Sequence, residues 1–396
     1  MTANLTRRGL LLGLSATAAA ANIRVAFARV PGERRFAVVI LRGALDGLYA
    51  VQPYGDPGLA ALRRPLLLPQ PGEEAGLLDL GGFFGLHPAM PELHAMYARG
   101  EAALLHAVAG PYRTRSHFEG QDLLEAGTSD RLSSGWLNRA IAALPSSGSA
   151  RAGLAVGGGV PLLLRGSTTV GVYSPPGLEA PPPDLFHRIA ELQAGDPRTA
   201  ATFEEGMRSR GFASTVLGPD AAEQRDRSSF PRLAAAAGRL LAEAEGPRVA
   251  AMELGGWDTH VGQAARLTPL LGALDAGLAA LRTALGADWA NTSVLVVTEF
   301  GRTARVNGNL GTDHGTAGVA IVLGGAVAGG RVIATWPGLA PDKLFENRDL
   351  APTTDLRAVA KGLLRDGLGL PDAAIAAAFP GSAGVAPMGG LLRARV

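Results

Sequence analysis

The sequence predicts an α/β protein built on a doubly wound, mostly parallel sheet with helices on both faces. Three observations predict it. Short, nearly continuous apolar runs recur along the chain, each ending at once in Gly and a polar or charged residue. Unbroken runs of this kind suit strands buried on both faces, as in a parallel sheet. Helix-length amphipathic segments lie between them, and strands alternating with such helices build doubly wound sheets. Finally, hydrophobic residues make up 47% of the chain and cysteine is absent, so stability has to come from one large Ala, Leu and Val core.

The chain opens on Thr6-Arg7-Arg8-Gly9-Leu10-Leu11, passes through an Ala-rich apolar stretch and reaches Ala26-Phe27-Ala28. A cationic start, a short apolar middle and a small-x-small end mark a secretory leader, and the paired arginines select its twin-arginine form. Residues 1–28 are therefore expected to be a signal peptide, and the working protein to be periplasmic or secreted. A basic helical turn or an uncleaved anchor is the alternative, although the run is too short and too rich in Ala, Gly and Ser for a span of about 20 apolar residues. No other stretch is expected to form a stable membrane span. The leader holds three arginines and no acid, so its removal takes the formal charge from +2 to −1. No clustered basic face suggests nucleic acid.

Residues 29–396 read as a single domain. Phe36–Leu41, Ala102–Ala109, Arg248–Leu254, Ser293–Val297 and Val319–Leu323 are the expected strands. Phe118–Ala126, Phe230–Glu245, Gln263–Leu285 and Thr354–Leu364 are the expected helices. Around residues 145–185 the pattern changes to short Val, Leu and Gly pieces with Pro175-Pro176 and Pro181-Pro182-Pro183, which predicts an irregular or small β insertion.

Asp46, Asp258-Thr259-His260 and Glu299 each follow the carboxyl end of an expected strand, and Gly311-Thr312-Asp313-His314-Gly315 precedes another. In open α/β sheets ligands bind at that edge. Glycine-flanked acids are also common in plain turns; four sites at equivalent strand ends favour one shared centre. Asp46, Asp258, His260, Glu299, Asp313 and His314 thus form a mixed oxygen and nitrogen ligand set for one or two divalent ions. Zinc is foremost, with manganese or calcium compatible. Two ions about 4 Å apart would clamp the attacking and leaving oxygens of a displacement at phosphorus or sulfur.

Arg115-Ser116-His117-Phe118-Glu119 opens a helix. Ser116 and Glu119 have the spacing of a capping box, and the Ser116 hydroxyl is equally placed to act as a nucleophile at a positive helix end. Arg302 offers a fork to phosphate or sulfate, or is an ordinary ion-paired arginine. Arg42, Arg115 and His117 are the candidate substrate contacts. His87 is expected to order a loop near the site; His94, His106 and His187 are expected to be structural.

Leu41–Gly47, Phe84–Pro88, Arg115–Phe118, Gly256–His260, Thr298–Arg302 and Gly311–Gly315, taken as an ordered set, resemble a bacterial family known as domain of unknown function 1501, itself related to the alkaline phosphatase and sulfatase superfamily. The resemblance implies an alkaline-phosphatase-like fold, Asp46 as a metal-bridging aspartate, Ser116 as nucleophile, and Asp258, His260 and His314 as metal ligands. Thr298-Glu299-Phe300 departs from the superfamily pattern, with phenylalanine where a second histidine is usual, which puts a second ion in question. A formylglycine sulfatase is not expected, because its Cys or Ser context is missing. The chain is therefore expected to be an exported metal-dependent hydrolase of small or polymeric phosphate or sulfate esters. The alternative is a non-catalytic periplasmic binding or assembly factor, serving a secreted or envelope protein partner on a degenerate hydrolase fold.

Overall fold

In the computed structural model the described residues are 34–144, 152–174, 216 and 230–394. The expected leader over 1–28 and His187 lie outside them. The strands are β1 (Arg35–Arg42), β2 (Val51–Gln52), β3 (Leu78–Asp79), β4 (Gly85–Leu86), β5 (Ala102–Ala109), β6 (Gly153–Val156), β7 (Gly171–Tyr173), β8 (Val249–Gly255), β9 (Thr292–Thr298), β10 (Gly318–Leu323), β11 (Arg331–Ile333) and β12 (Thr354–Asp355). The helices are α1 (Gly47–Ala50), α2 (Leu59–Arg63), α3 (Pro91–Ala98), α4 (His117–Ala126), α5 (Trp136–Ile141), α6 (Phe230–Ala242), α7 (Gln263–Leu285), α8 (Leu356–Gly362) and α9 (Asp372–Ala378).

Among the described residues nine strands make one sheet, ordered β11-β5-β10-β9-β1-β8-β6-β7 with β12 also on β5. β1 runs parallel to both β8 and β9, and β6 runs parallel to β8 and β7. Only β10 is antiparallel to its neighbours, β5 and β9. The protein is thus α/β with a mostly parallel sheet. A small sheet of β2, β4 and β3 stands apart from it.

Alternation along β1 assigns the two faces. Ala37, Val39 and Leu41 pack in one buried cluster with α3, α6 and α7. Phe36, Val38 and Ile40 pack in the other with α4, α5, α8 and α9. Helices therefore cover both faces, which is why the central strands carry almost no polar residue.

Two features depart from the sequence expectation. Within the stretch read as an irregular insertion, residues 152–174 carry β6 and β7 and extend the main sheet by two parallel strands. And α7, with the turn that continues it to Asn291, is long and apolar enough to cross a membrane by length and composition. Its Leu267, Leu271, Leu274, Leu278, Leu281 and Leu285 recur at helical spacing and are all buried in the core. It is the central packing helix against α6.

His106 is fully buried on β5, its Nε2 donating to the Val51 carbonyl at 3.0 Å. His87 is buried too, its Nδ1 accepting from the Ala89 amide at 3.0 Å and its ring 4.9 Å from Tyr49. Burial lowers both pKa values from 6.5 to about 4. The unfolded chain then binds these protons first as pH falls. Stability is expected to be full above about pH 6.5, to fall between 6.5 and 4, and to level off below, by up to about 3 kcal/mol per histidine. Urea titrations across that range check this, since a His87→Leu/His106→Leu variant should show a flatter profile.

Candidate metal centre

The parallel topology puts the carboxyl ends of β1, β5, β8 and β9 on one edge of the sheet, with Leu41 in register with both Thr298 and Leu254. Because β10 is antiparallel, its entry loop reaches the same edge. Four loops converge there. The 258–263 loop pairs with 309–312 through Thr312 N to Thr259 O, Gly262 N to Asn309 O and Gln263 N to Leu310 O, at 3.2, 2.9 and 2.9 Å. Residues 301–303 pair with 313–316 through Gly301 N to Thr316 O, Thr303 N to Asp313 O and Gly315 N to Gly301 O, at 2.9, 2.9 and 2.8 Å.

Two glycines make these approaches possible. A Cβ on Gly311 would lie 2.2 Å from the His260 carbonyl, and one on Gly315 would lie 2.3 Å from the Arg302 carbonyl carbon. Neither backbone contact can yield to a side chain, so both loops require glycine there.

Three histidines meet at this junction, and each ring is fixed by its Nδ1. His117 Nδ1 faces Glu299 Oε1 at 2.8 Å, His260 Nδ1 faces Asp313 Oδ1 at 3.0 Å, and His314 Nδ1 faces the Arg115 carbonyl at 2.7 Å. A carbonyl only accepts. Both carboxyls are held below their ordinary range: Glu299 because His117, Gln121 and the Gly43 amide outweigh its burial, Asp313 chiefly through Asn307 and then His260. Each Nδ1 therefore carries a proton, and in the neutral imidazole each Nε2 is left with a lone pair.

The Nε2 atoms converge on Asp258. His260 Nε2 lies 3.0 Å from both Asp258 Oδ1 and His314 Nε2, and His314 Nε2 lies 3.3 Å from Asp258 Oδ1. His117 Nε2 is 3.4 Å from Asp258 Oδ2. The donor atoms of His117, Asp258 and His314 all lie within 4.8 Å of one another. Two imidazole nitrogens that both present lone pairs at 3.0 Å repel unless a proton or a cation sits between them. Ligands about 2.0–2.1 Å from a tetrahedral zinc ion stand roughly 3.3–3.4 Å apart, close to the spacing found. The donor set fits a divalent ion, and the Nδ1 partners are the carboxylate and carbonyl supports that metal-ligating histidines take.

Arg302 lies against this cluster. It is 1% exposed, donates Nη1 to Asp258 Oδ1 at 2.8 Å, and leaves Nε and Nη2 buried without partners. Its hydrogen bond and charge, with His260 and His117, outweigh burial and hold the Asp258 carboxyl below its usual range. Burial lowers the His314 pKa, while the Glu299 hydrogen bond raises that of His117. Phe300 stacks on His117 at 5.0 Å and packs against His314 at 5.3 Å. It walls the imidazoles in rather than filling a ligand position.

Several expected roles move. Asp46 is not in the cluster: its Oδ2 takes the Arg63 guanidinium at 2.5 Å and the Gln263 amide at 2.6 Å, and its Oδ1 caps α1 through Leu48 N at 3.1 Å. Three donors thus hold this carboxylate, and it is not among the clustered donor atoms. Glu299 and Asp313 stand behind His117 and His260 rather than in front of them. His117, expected at the substrate, joins the ligand group.

Arg42 and Arg115 are not free for an anion. Arg42 pairs with Glu253 and, at 2.6 Å, with Glu125; Arg115 pairs with Asp349 at 2.8 Å and Glu346 at 2.5 Å. Ser116 is exposed at the start of α4 and makes no side-chain cap bond, so no capping box with Glu119 forms. Arg63, Gln263 and Gln121 carry no motif and escaped the sequence reading.

No curated protein matches the sequence. In fold the chain is similar to the C-terminal periplasmic domain of EcEptC from Escherichia coli in complex with zinc, at 10% identity over 75% of this chain and 74% of that one, TM-score 0.34. It is similar to a phosphonate monoester hydrolase of Agrobacterium radiobacter at 12% identity over 85% and 74%, TM-score 0.35. The likeness to Ps i-CgsB has 11% identity over 76% and 68%, TM-score 0.34. The model of one family, described as a protein of unknown function (DUF1501), matches residues 96–378, and the chain belongs to that family.

Proposed function

We propose that the protein is an exported, metal-dependent hydrolase of phosphate or sulfate esters with a single divalent-ion centre. The observation that carries this is the approach of three histidine Nε2 atoms to Asp258, at 3.4, 3.0 and 3.3 Å for His117, His260 and His314, beside a buried Arg302 with two unused donors. A binding factor that needed no metal would have no reason to fix three imidazole tautomers toward one point.

His117, His260, His314 and Asp258 would hold the ion. Three imidazoles and one carboxylate suit zinc, or manganese less well; calcium, which takes oxygen ligands, does not fit. With Asp46 held by Arg63, the chain offers no comparable second ligand set among the described residues. When bound, the ion supplies Lewis acidity toward an ester oxygen.

The remaining work falls to side chains. Arg302 presents Nε and Nη2 to two oxygens of a tetrahedral anion, the fork geometry that guanidinium provides and ammonium does not. Ser116, at the first turn of α4 between Arg115 and His117, supplies the nucleophilic hydroxyl; a water molecule is the other source. The amides opening α4 favour negative charge there. The N-terminal pattern of Arg7-Arg8, an apolar stretch and Ala26-Phe27-Ala28 supports a place of action outside the cytoplasm.

Elemental analysis of the purified protein, with release of phosphate or sulfate from aryl esters, tests the reading. About one equivalent of zinc or manganese and metal-dependent turnover are expected. A metal-free protein, inert with added zinc, manganese and calcium, would overturn it. Ser116→Ala separates the two nucleophiles: a loss of at least about a thousandfold in kcat with metal retained assigns the serine, and an unchanged rate assigns water.

A further inference from the structure

We infer that the ester accepted at this centre carries an apolar organic group, received by an apolar rim formed of Phe118, Val261 and Leu310. The inference rests on the ester-hydrolase reading above and names its substrate class.

The large hydrophobic side chains that remain exposed among the described residues are Leu67, Phe118, Leu132, Val172, Val261 and Leu310. Half of them stand on the loops that carry the centre. Phe118 follows His117, Val261 follows His260, and Leu310 lies three residues before Asp313. The bonds from Gly262 N to Asn309 O and Gln263 N to Leu310 O, both 2.9 Å, hold the Val261 and Leu310 segments side by side. His117 touches His314 ring to ring at 4.2 Å, which brings the start of α4 to the same junction.

Phe118 is the sharpest case. It is 85% exposed, whereas Phe36, Phe84, Phe230, Phe300 and Phe379 are all buried. A phenylalanine in the first turn of a helix gains nothing from the helix dipole, which favours acidic side chains there. Scattered exposed apolar residues are ordinary. Three gathered on the loops of one polar centre resemble the composition of ligand sites, where apolar walls surround a few placed polar groups. Arg302 and the metal ligands would take the charged end of the substrate, and the rim would take its carbon chain.

Alkylphosphonates provide the test, because they carry the tetrahedral anion and a chain but cannot be turned over. Calorimetric titration of the zinc-loaded mature protein with ethyl- and octylphosphonate should give at least about tenfold tighter binding of the longer chain, a modest share of what burying six further methylenes provides. Phe118→Ser and Val261→Ser/Leu310→Ser should each reduce that preference at least about threefold while leaving ethylphosphonate affinity unchanged. Equal affinity for both chains, or a preference untouched by every variant, overturns the inference and leaves the hydrolase reading standing. Binding of neither phosphonate to the metal-loaded protein overturns both. A rim that instead seats a second copy of the chain would appear as a concentration-dependent dimer abolished by Phe118→Ser, with both phosphonates bound alike.

Discussion

Replacing His260 by alanine is expected to abolish stoichiometric metal binding and to lower hydrolysis by at least about a thousandfold, with the fold retained. The imidazole supplies the nitrogen that lies 3.0 Å from both Asp258 Oδ1 and His314 Nε2, so its loss opens one corner of the ligand set. The side chain is more than one-third exposed, so truncation leaves no large cavity and circular dichroism and the unfolding midpoint should change little. Asp313→Asn probes the layer behind it. That variant keeps the ligand but weakens the acceptor that fixes its Nδ1–H, and a loss of about 10–100-fold in metal affinity is expected. Elemental analysis and chelator competition read both effects. Full metal content in His260→Ala, or equal damage from the two variants, would contradict the assignment.

Why this centre was only partly legible follows from what the sequence encodes locally. Residues 36–41, 249–254 and 293–297 are apolar at nearly every position because both faces of their strands are covered, and that pattern needs no partner to be read. The edge at which their loops meet follows from parallelism. What each loop residue faces does not. Asp46 and Asp258 both sit just past a strand end with glycine within two residues, yet one pairs with Arg63 and the other with three imidazoles. Arg63 comes from a five-residue helix with no motif. Arg42 and Arg115 looked free because their partners Glu253 and Asp349 are 211 and 234 residues away.

His117 was hidden for a different reason. Ser116 and Glu119 imitate a capping box, which draws the reading toward local structure. The rotamer that aims His117 at Asp258 depends on Glu299, 182 residues later. β6 and β7 are four and three residues long, too short for periodicity to distinguish a strand from a loop.

Arg63→Ala is expected to destabilise the protein by about 3–5 kcal/mol, the cost typical of stranding one member of a buried ion pair. Arg63 is fully buried and Asp46 is 1% exposed. The guanidinium donates to the Ala304 and Thr303 carbonyls at 2.9 and 2.6 Å as well as to Asp46. Gln263 extends the network, donating to Asp46 and accepting from the hydroxyls of Thr312 and Thr259 at 2.6 and 3.1 Å. The pair therefore fastens the loop after β1 to the 303–312 loop and to the start of α7, segments that adjoin His260 and His314 in sequence. Removing Arg63 leaves a buried carboxylate without its counter-charge and the Ala304 and Thr303 carbonyls without the guanidinium donor. Asp46→Asn is the milder change: it removes the charge but keeps one acceptor oxygen, so either the Leu48 amide or the Arg63 side loses its acceptor. If Asp46 were a metal ligand, Asp46→Asn would lose metal while stability barely moved. The geometry requires the reverse: urea unfolding should report the loss of stability in both variants, while the folded Asp46→Asn protein still binds about one equivalent of zinc. An Asp46→Leu/Arg63→Met variant should recover part of the stability lost in Arg63→Ala, because it removes the stranded charge while the Thr303 and Ala304 carbonyls and the Gln263 amide still lack partners.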